Sequence, residues 1–192
     1  MIQSLTWLQA IDTRLLSLKV DVHLHLEIIV QVPEKDEDEE EKAKYIYIFL
    51  FSGQLGLGHT DKIEKVSCIK SLKSNETGEK VILAACGRES SIVATDRGSI
   101  YSFGSNSRSQ LGFEASSESE INQPNPTKID SFKSKNIWKQ IAMGAEHACA
   151  LTDDGLVYVW GANDEGQCGQ IKKYDVISKP RELRMEQPVV AM

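Results

Sequence analysis

The chain has four histidines, whose imidazole side chains could act in catalysis or bind a metal ion. His23 and His25 are two residues apart, so a β-strand would place both on one face, where they could begin a metal site. A metal ion needs further ligands, and no others are evident near this pair. His147 lies in a short apolar segment, where we predict a buried, hydrogen-bonded structural residue, and His59 follows a glycine-rich loop without a clear role. The histidine pattern therefore predicts no metal site.

The acidic residues that could act as a catalytic pair lie in turns. Asp96, Asp153 and Asp154 each belong to a turn that leads into a glycine, and an aspartate in a turn commonly hydrogen-bonds to its own backbone. No Ser/His/Asp or Cys/His constellation can be assigned from the sequence. The segment Gly53–Gly58 resembles a phosphate loop only superficially, because the Lys-Ser/Thr of a P-loop is missing. We therefore predict no catalytic residues, no cofactor and no enzyme.

The four cysteines and the charge distribution narrow the compartment and the class of partner. Cys68, Cys86, Cys149 and Cys168 form no C-x-x-C pair, which argues against zinc. Cys149 lies in an apolar, strand-like stretch, where a reduced cysteine acts as a small hydrophobe, and this indicates a reducing, cytosolic or nuclear setting. Most of the net charge of −6 comes from the acidic run at 34–42, which we interpret as a solvated loop, with an interaction tail as the alternative. No basic stripe for nucleic acid and no apolar run long enough to span a membrane are visible.

The elements that position these residues repeat along the chain. Residues 81–112 and 138–169 match at an offset of 57 in their glycines, in Asn106 and Asn163, and in Gln110 and Gln167, which indicates a repeat architecture. The residue pattern of each copy predicts three short strands joined by glycine turns, an arrangement that is typical of propeller blades. The predicted strands are Lys80–Cys86, Ser91–Thr95, Ser99–Phe103, Trp138–Met143, Ala148–Thr152 and Leu156–Trp160.

The remaining segments are less regular. Glu114–Asn125 is polar and predicts a surface loop, after which Pro126–Ile129 corresponds to Pro180–Leu183 of the second copy. The first 52 residues do not fit the repeat. Ser4–Lys19 has the spacing of an amphipathic helix, and the alternating strand pattern around Val20–Ile28 predicts a hairpin with Tyr45–Phe51 across the acidic loop.

The repeated motif identifies a family. Tyr101–Gly112 and Tyr158–Gly169 resemble the aromatic-Gly-x-Asn-x-x-Gly-Gln-Leu-Gly motif of regulator-of-chromosome-condensation (RCC) repeats, and Gly53–Gly58 resembles its second half. Gly144–His147, followed by Ala150–Gly155, resembles the family's other hallmark. In the first copy Ser90 replaces the histidine seen as His147 and Ser109 replaces the glycine seen as Gly166, and before Gly53 the expected glycine and asparagine are missing. The resemblance implies an all-β propeller of seven four-stranded blades, with the aromatic residues filling the space between blades.

The resemblance also divides the chain. We expect residues 53–192 to hold roughly two and a half of the seven blades, truncated at the C-terminus, because Met192 falls where a repeat strand should continue. Residues 1–52 are expected to be an atypical segment, and the aromatic and aliphatic stretch Tyr45–Ser52 suggests an artefact of the gene model.

The family suggests three functions, which the sequence leaves open. The first is a non-catalytic scaffold that binds a small GTPase or a GTPase-linked carrier in the cytoplasm, at the cilium or basal body. Residues 67–73 and 83–88 most resemble the retinitis pigmentosa GTPase regulator branch, which supports that interpretation. The second is nucleotide exchange on a Ran-like GTPase, with the nucleus as the alternative location. The third is a regulatory propeller of a HECT ubiquitin ligase.

Overall fold

The computed structural model describes residues 16–17, 28–30, 46–48, 55–60, 69–115, 117, 121–132, 137–170 and 174–184. Within them are eleven strands, one 3-10 helix at Lys70–Leu72 and one short helix, α1, at Ser74–Thr77. The strands are β1 Leu16–Ser17, β2 Ile28–Val30, β3 Ile46–Ile48, β4 Val81–Cys86, β5 Ser90–Thr95, β6 Ile100–Ser105, β7 Asn122–Lys128, β8 Trp138–Met143, β9 His147–Thr152, β10 Val157–Ala162 and β11 Val176–Leu183.

Two four-stranded antiparallel sheets dominate the fold. β4, β5, β6 and β7 pair in chain order to form the first blade, and β8, β9, β10 and β11 pair in the same way to form the second. The first three strands of the two blades begin and end at residues separated by the repeat offset, as Val81 and Trp138 show. The prediction of an all-β, partial propeller is confirmed.

Three predicted elements differ from the structure or are only partly described. β7 begins at Asn122, so the end of the predicted surface loop Glu114–Asn125 is a strand. The predicted helix Ser4–Lys19 is wrong at Leu16–Ser17, which form β1, and its other residues lie outside the described part. β2 pairs antiparallel with β3 on either side of the acidic run, whose own residues lie outside the described part.

The larger hydrophobic core lies between the two blades. Ile92 and Ile100 of the first blade belong to it together with Trp138, Ile141 and Trp160 of the second, and all five are almost fully buried. Burial of such side chains is worth about 1.5–3 kcal/mol each relative to exposure. The blades therefore share one core and stabilise each other.

Phe132, in the connection between the blades, holds the aromatic part of that core together. Its ring makes edge contacts with Trp138, Tyr158 and Trp160, with ring centroids 4.7, 5.3 and 6.1 Å apart. Edge-to-face geometry places the positive edge of one ring against the negative face of another, which adds about 0.5–1.5 kcal/mol per pair beyond burial.

A second core covers the other side of the first blade. Leu55, Ile69 and Leu72, which precede the blade in sequence, pack against its Val93 and Phe103. The first blade is thus buried on both faces, as the middle element of a stack should be.

Candidate functional site

The connections between strands lie at the two opposite ends of the blades. The repeated motif forms the long connections at one of these ends. The turns after β4 and β8 and the long connections after β6 and β10 lie at the same end, because alternate connections of an antiparallel meander share an edge. We call this end the loop face; of the described residues it comprises 87–89, 106–115, 117, 121, 144–146, 163–170 and 174–175. The opposite face carries the remaining turns, at 96–99 and 153–156, and the described residues 129–132 and 137 of the connection between the blades.

The motif asparagines hold the long connections in shape. The Asn106 side chain donates to the Phe113 carbonyl at 2.9 Å and accepts from the Leu111 amide at 3.1 Å. Asn163 repeats both bonds with Tyr174 and Cys168, at 2.7 and 3.2 Å. Both asparagines are buried, so each side chain satisfies two backbone groups that water could not reach.

The motif glutamines close the tighter turn inside each loop. The side-chain oxygen of Gln110 accepts from the Arg108 amide at 2.8 Å, and that of Gln167 accepts from the Glu165 amide at 2.9 Å. This role follows from the spacing of the motif, since an amide side chain two residues on can reach back to the turn.

Two of the motif's last glycines, Gly56 and Gly112, each lie against an aromatic ring of the blade that follows them. A Cβ on Gly56 would lie 3.0 Å from the Phe103 ring, and one on Gly112 would lie 3.2 Å from the indole nitrogen of Trp160. The same nitrogen donates to the Gln110 carbonyl at 2.9 Å. The prediction that the aromatic residues fill the space between blades is confirmed, and Gly53–Gly58 has the repeat's structural role at Gly56.

Opposite charges join the blades along the loop face. The guanidinium of Arg108 lies 2.6 Å from the Asp164 carboxylate, and that of Arg88 lies 3.7 Å from Glu146. Hydrogen bonding from Gln167, together with Arg108, lowers the pKa of Asp164. Sequence reasoning missed these pairs. The sequence contained one sign of these ion pairs. The two members of each pair are separated by close to one repeat period, which places them at similar positions on neighbouring blades.

The two departures from the motif have different physical consequences. Ser90 is fully buried and lies beside Gly87. The turn of the second blade comes close at this place, because a Cβ on Gly87 would lie 2.5 Å from the Gly144 carbonyl. In the second blade the His147 ring covers Gly144 instead. The serine therefore leaves room for the neighbouring turn. Ser109 adopts φ 55°, the left-handed conformation that Gly166 adopts at φ 81°.

The turn aspartates among the other predicted candidates have hydrogen-bond partners in the structure. His147 is half-buried rather than buried, and partial desolvation lowers its pKa. The Asp96 carboxylate accepts a hydrogen bond from the Lys80 amide at 2.8 Å, and the Asp154 carboxylate accepts one from the Thr152 hydroxyl. Both carboxylates therefore stabilise the local turn structure. His23 and His25 lie outside the described residues. Within the described ranges, no group of three or more His, Cys, Asp or Glu side chains could hold a metal ion.

The thiols at the described positions are unreactive by environment. Cys86, Cys149 and Cys168 are free. Burial raises the pKa of Cys86 to about 12 and that of Cys168 to about 11, and it also raises the pKa of Cys149. These side chains stay protonated at neutral pH and pack as small hydrophobes. Cys68 lies outside the described residues. In the same described part, no helix is long and apolar enough to cross a bilayer.

Four-stranded blades joined by an aromatic–glycine contact define a β-propeller of the repeat type. The chain belongs to the regulator of chromosome condensation (RCC1) repeat family, whose models match residues 97–151, 154–192 and 138–167.

Similar proteins agree with this assignment. The chain is 39% identical over 137 residues to the human X-linked retinitis pigmentosa GTPase regulator, covering 71% of this chain and 12% of that protein. Human WBSCR16 superimposes with a TM-score of 0.65 at 26% identity, over 83% of this chain and 38% of that one. The structure of Prp20p from Saccharomyces cerevisiae, reported with its binding to Gsp1p and histones, superimposes with a TM-score of 0.61 at 17% identity. The match covers 84% of this chain and 36% of that one.

Proposed function

We propose that this chain is part of a non-catalytic interaction scaffold that binds a small GTPase or a carrier protein linked to one. The observation that carries this proposal is the pair of stacked RCC1 blades, joined through Trp160 and Gly112, in a chain similar to a GTPase regulator. Such a stack presents several connections side by side on a rigid support, and connections of this kind are where proteins place recognition.

The described residues favour binding over bond-making chemistry. The buried polar side chains of the loops, Asn106, Asn163 and Gln110, are engaged with backbone groups, and the thiols are held protonated. Such groups position a surface and are poor nucleophiles or bases. We accordingly propose no enzymatic role, with the cytoplasm and the base of the cilium as the setting.

A second candidate is nucleotide exchange on a Ran-like GTPase. It is favoured by the likeness in fold to Prp20p, which binds Gsp1p according to the description of its structure. At 17% identity that likeness supports the fold alone, so exchange remains the alternative and the nucleus its setting.

Binding and nucleotide release measured together separate the two candidates. The chain would be immobilised and exposed to a panel of small GTPases, each loaded with GDP or a non-hydrolysable GTP analogue, and to a prenyl-binding carrier. Release of a fluorescent guanine nucleotide would be followed in parallel. The scaffold proposal expects saturable binding without faster release. Acceleration of about tenfold or more would establish exchange, and the absence of binding to every member of the panel would contradict the scaffold.

Location in cells gives an independent test. A fluorescently tagged chain should collect in the cytoplasm and at the base of the cilium in ciliated cells. Accumulation on chromatin throughout interphase would instead favour the exchange candidate and its nuclear setting.

A further inference from the structure

The outer edge of the first blade, the side of β7 that faces away from β6, is closed to another strand. The Asn106 amide donates to the Ile121 carbonyl at 2.5 Å, so Ile121 points its backbone groups inward and the alternation along the strand turns those of Pro124 outward. The Gly58 amide agrees with this direction, because it donates to the Pro124 carbonyl at 2.9 Å. Pro124 and Pro126 also have no N–H, so a further strand could not pair with the middle of this edge.

The corresponding edge of the second blade, on β11, is open. The Asn163 amide donates to the Asp175 carbonyl at 2.7 Å, as its counterpart does in the first blade. Strand alternation therefore turns the backbone groups of Val176 and Ser178 outward. Among the described residues, no strand lies beyond β11 and no backbone group bonds to these outward groups. The open stretch ends at Pro180, which has no N–H.

The loop that closes the first edge does not close the second. Glu114 lies close to one repeat after Gly58, but it contacts the outer strand only through side chains, since the Ser178 hydroxyl donates to the Glu114 carboxylate at 3.0 Å. The Ser178 carbonyl accepts no hydrogen bond from the described residues. A serine in the place of Pro124 thus leaves both an N–H and a carbonyl open at this position.

Exposed cations border the open stretch. Lys179 and Arg181 are both exposed, and the uncharged Asn125 and Thr127 hold the equivalent positions in β7. The Arg181 guanidinium lies 5.0 Å from the centre of the Tyr174 ring. Tyr174 and Arg181 bracket the open stretch in sequence, so this contact holds the cation alongside it. An acidic side chain of a bound segment would meet positive charge here that the first blade lacks.

We propose that the outer edge of β11 at Val176–Ser178 is a docking site for an extended segment of a partner protein that carries acidic residues. The segment adds a fifth strand to the second blade. Main-chain hydrogen bonds supply the affinity, and Lys179 and Arg181 favour an acidic sequence. Pro180 limits the pairing to a short stretch. The site lies on the outer rim of the blade and adds a second class of partner to the proposed function.

A synthetic peptide tests the edge directly. The probe is an acetylated, amidated peptide of sequence Glu-Val-Thr-Val-Thr-Glu, titrated into the 15N-labelled full chain. We expect saturable shifts of the Val176 and Ser178 amide signals and slower hydrogen exchange at both. Two further peptides carry N-methyl groups on alternate residues, one set for each edge of the peptide. One of them should bind about tenfold more weakly or worse and the other should keep its affinity, because only one edge pairs with β11.

The first blade supplies the variant that closes the edge. Ser178→Pro replaces the outward N–H with the residue that β7 carries as Pro124, and it should weaken peptide binding about tenfold or more. Ser178→Ala is the matched control, because it removes the hydroxyl and its bond to Glu114 but keeps the N–H. It should leave peptide affinity within about twofold. Lys179→Glu should weaken binding on the order of threefold at low salt and less at high salt.

Several results would overturn the proposal. They are no saturable binding by the wild type, equal binding by Ser178→Pro, equal effects of the two N-methylated peptides, and equal or tighter binding of a peptide with lysine in place of glutamate. The N-methylated peptides test the edge in the unaltered chain, whatever Ser178→Pro does to folding. A dimer in sedimentation that Ser178→Pro dissociates would make the occupant a second copy of this chain and overturn the partner segment. Binding to the GTPase panel should be unchanged in Ser178→Pro, and its loss there would contradict a second class of partner.

Discussion

Ser109 and Gly166 occupy the same place in the two loops with different side chains. Each accepts from the glycine three residues later, at 3.0 and 2.9 Å, and each has positive φ. A residue with a Cβ is strained in this conformation by about 1–2 kcal/mol, whereas glycine adopts it freely. The serine is therefore a point of local strain that the motif normally avoids.

Exchanging the two residue types measures that strain. Ser109→Gly should raise the free energy of unfolding by about 0.5–1 kcal/mol, since part of the relieved strain is offset by the greater freedom of glycine in the unfolded chain. Gly166→Ala should lower it by about 1 kcal/mol, and a Cβ there meets nothing within 4 Å, so the cost is conformational. Urea denaturation checks both, and a loss of stability in Ser109→Gly would contradict the assignment.

Cys86 makes a pH-dependent contribution to stability. Its pKa is about 12 in the folded chain against 9.0 for an unperturbed thiol, because burial opposes ionisation. A raised thiol pKa means that the unfolded chain loses the proton first. The contribution is therefore complete below pH 9 and is lost as pH rises from about 9 towards 12.

Comparison with Cys86→Ala isolates this titration from those of other groups. Between pH 8 and pH 10 the stability advantage of the wild type over the variant should shrink by about 1 kcal/mol. Unfolding at both pH values in urea measures the difference, and other titrating groups cancel because they occur in both chains. An unchanged difference would show that Cys86 ionises as freely as an exposed thiol.

At the scale of elements, the sequence predicted inner strands better than outer ones. β4, β5 and β6 and their repeats carry apolar residues bounded by glycine turns, and their predicted ranges agree with the structure to within two residues. β7 contains two prolines and few apolar residues, and none of its residues is buried. Its strand conformation comes from pairing with β6 at the outer edge, where proline is tolerated. A local pattern could not reveal that.

The contacts between elements were predictable only where the repeat itself encodes them. The aromatic residue and the glycine recur in the motif, so their meeting between blades could be expected. The pair Arg108–Asp164 and the exposed Ile137 are differences between the copies, and their meaning depends on which strand ends come together. A search for opposite charges within a residue or two of one period apart would have included the first, whereas the exposure of Ile137 could be seen only in the structure.

The Trp160 side chain links the second blade to the first. It is fully buried and donates to the Gln110 carbonyl at 2.9 Å. Trp160→Phe keeps an aromatic ring, as Phe103 has at the equivalent place, but leaves that carbonyl unpaired and a small cavity. We expect a loss of about 2–3 kcal/mol in chemical denaturation. A loss of only a few tenths would mean that ring packing alone joins the blades.

At the scale of the whole molecule, we expect the shared core to make the two blades unfold as one cooperative unit. In a repeat architecture, stability is approximately the sum of the terms within repeats and the terms between them. The core between the blades draws residues from both sheets, including Ile92 and Trp160, so a change at their boundary should be felt on both sides. A change inside one loop should stay local.

Gly112 and Gly166 separate these two effects, because their φ angles are nearly the same, 80° and 81°. A Cβ at Gly112 would lie 3.0 Å from Ile129, 3.2 Å from Trp160 and 3.3 Å from Pro180, so it presses both blades apart. Gly112→Ala should therefore cost about 1 kcal/mol more than Gly166→Ala, beyond the shared backbone penalty.

Hydrogen exchange distinguishes a boundary effect from a local one. Gly112→Ala should reduce amide protection in β5 and β9 together, whereas Gly166→Ala should reduce it mainly around its own loop. Equal global costs for the two variants, or loss of protection confined to one blade in Gly112→Ala, would mean that the blades fold as separate units. Coupled loss in both blades would show that the aromatic–glycine contact transmits stability from one repeat to the next.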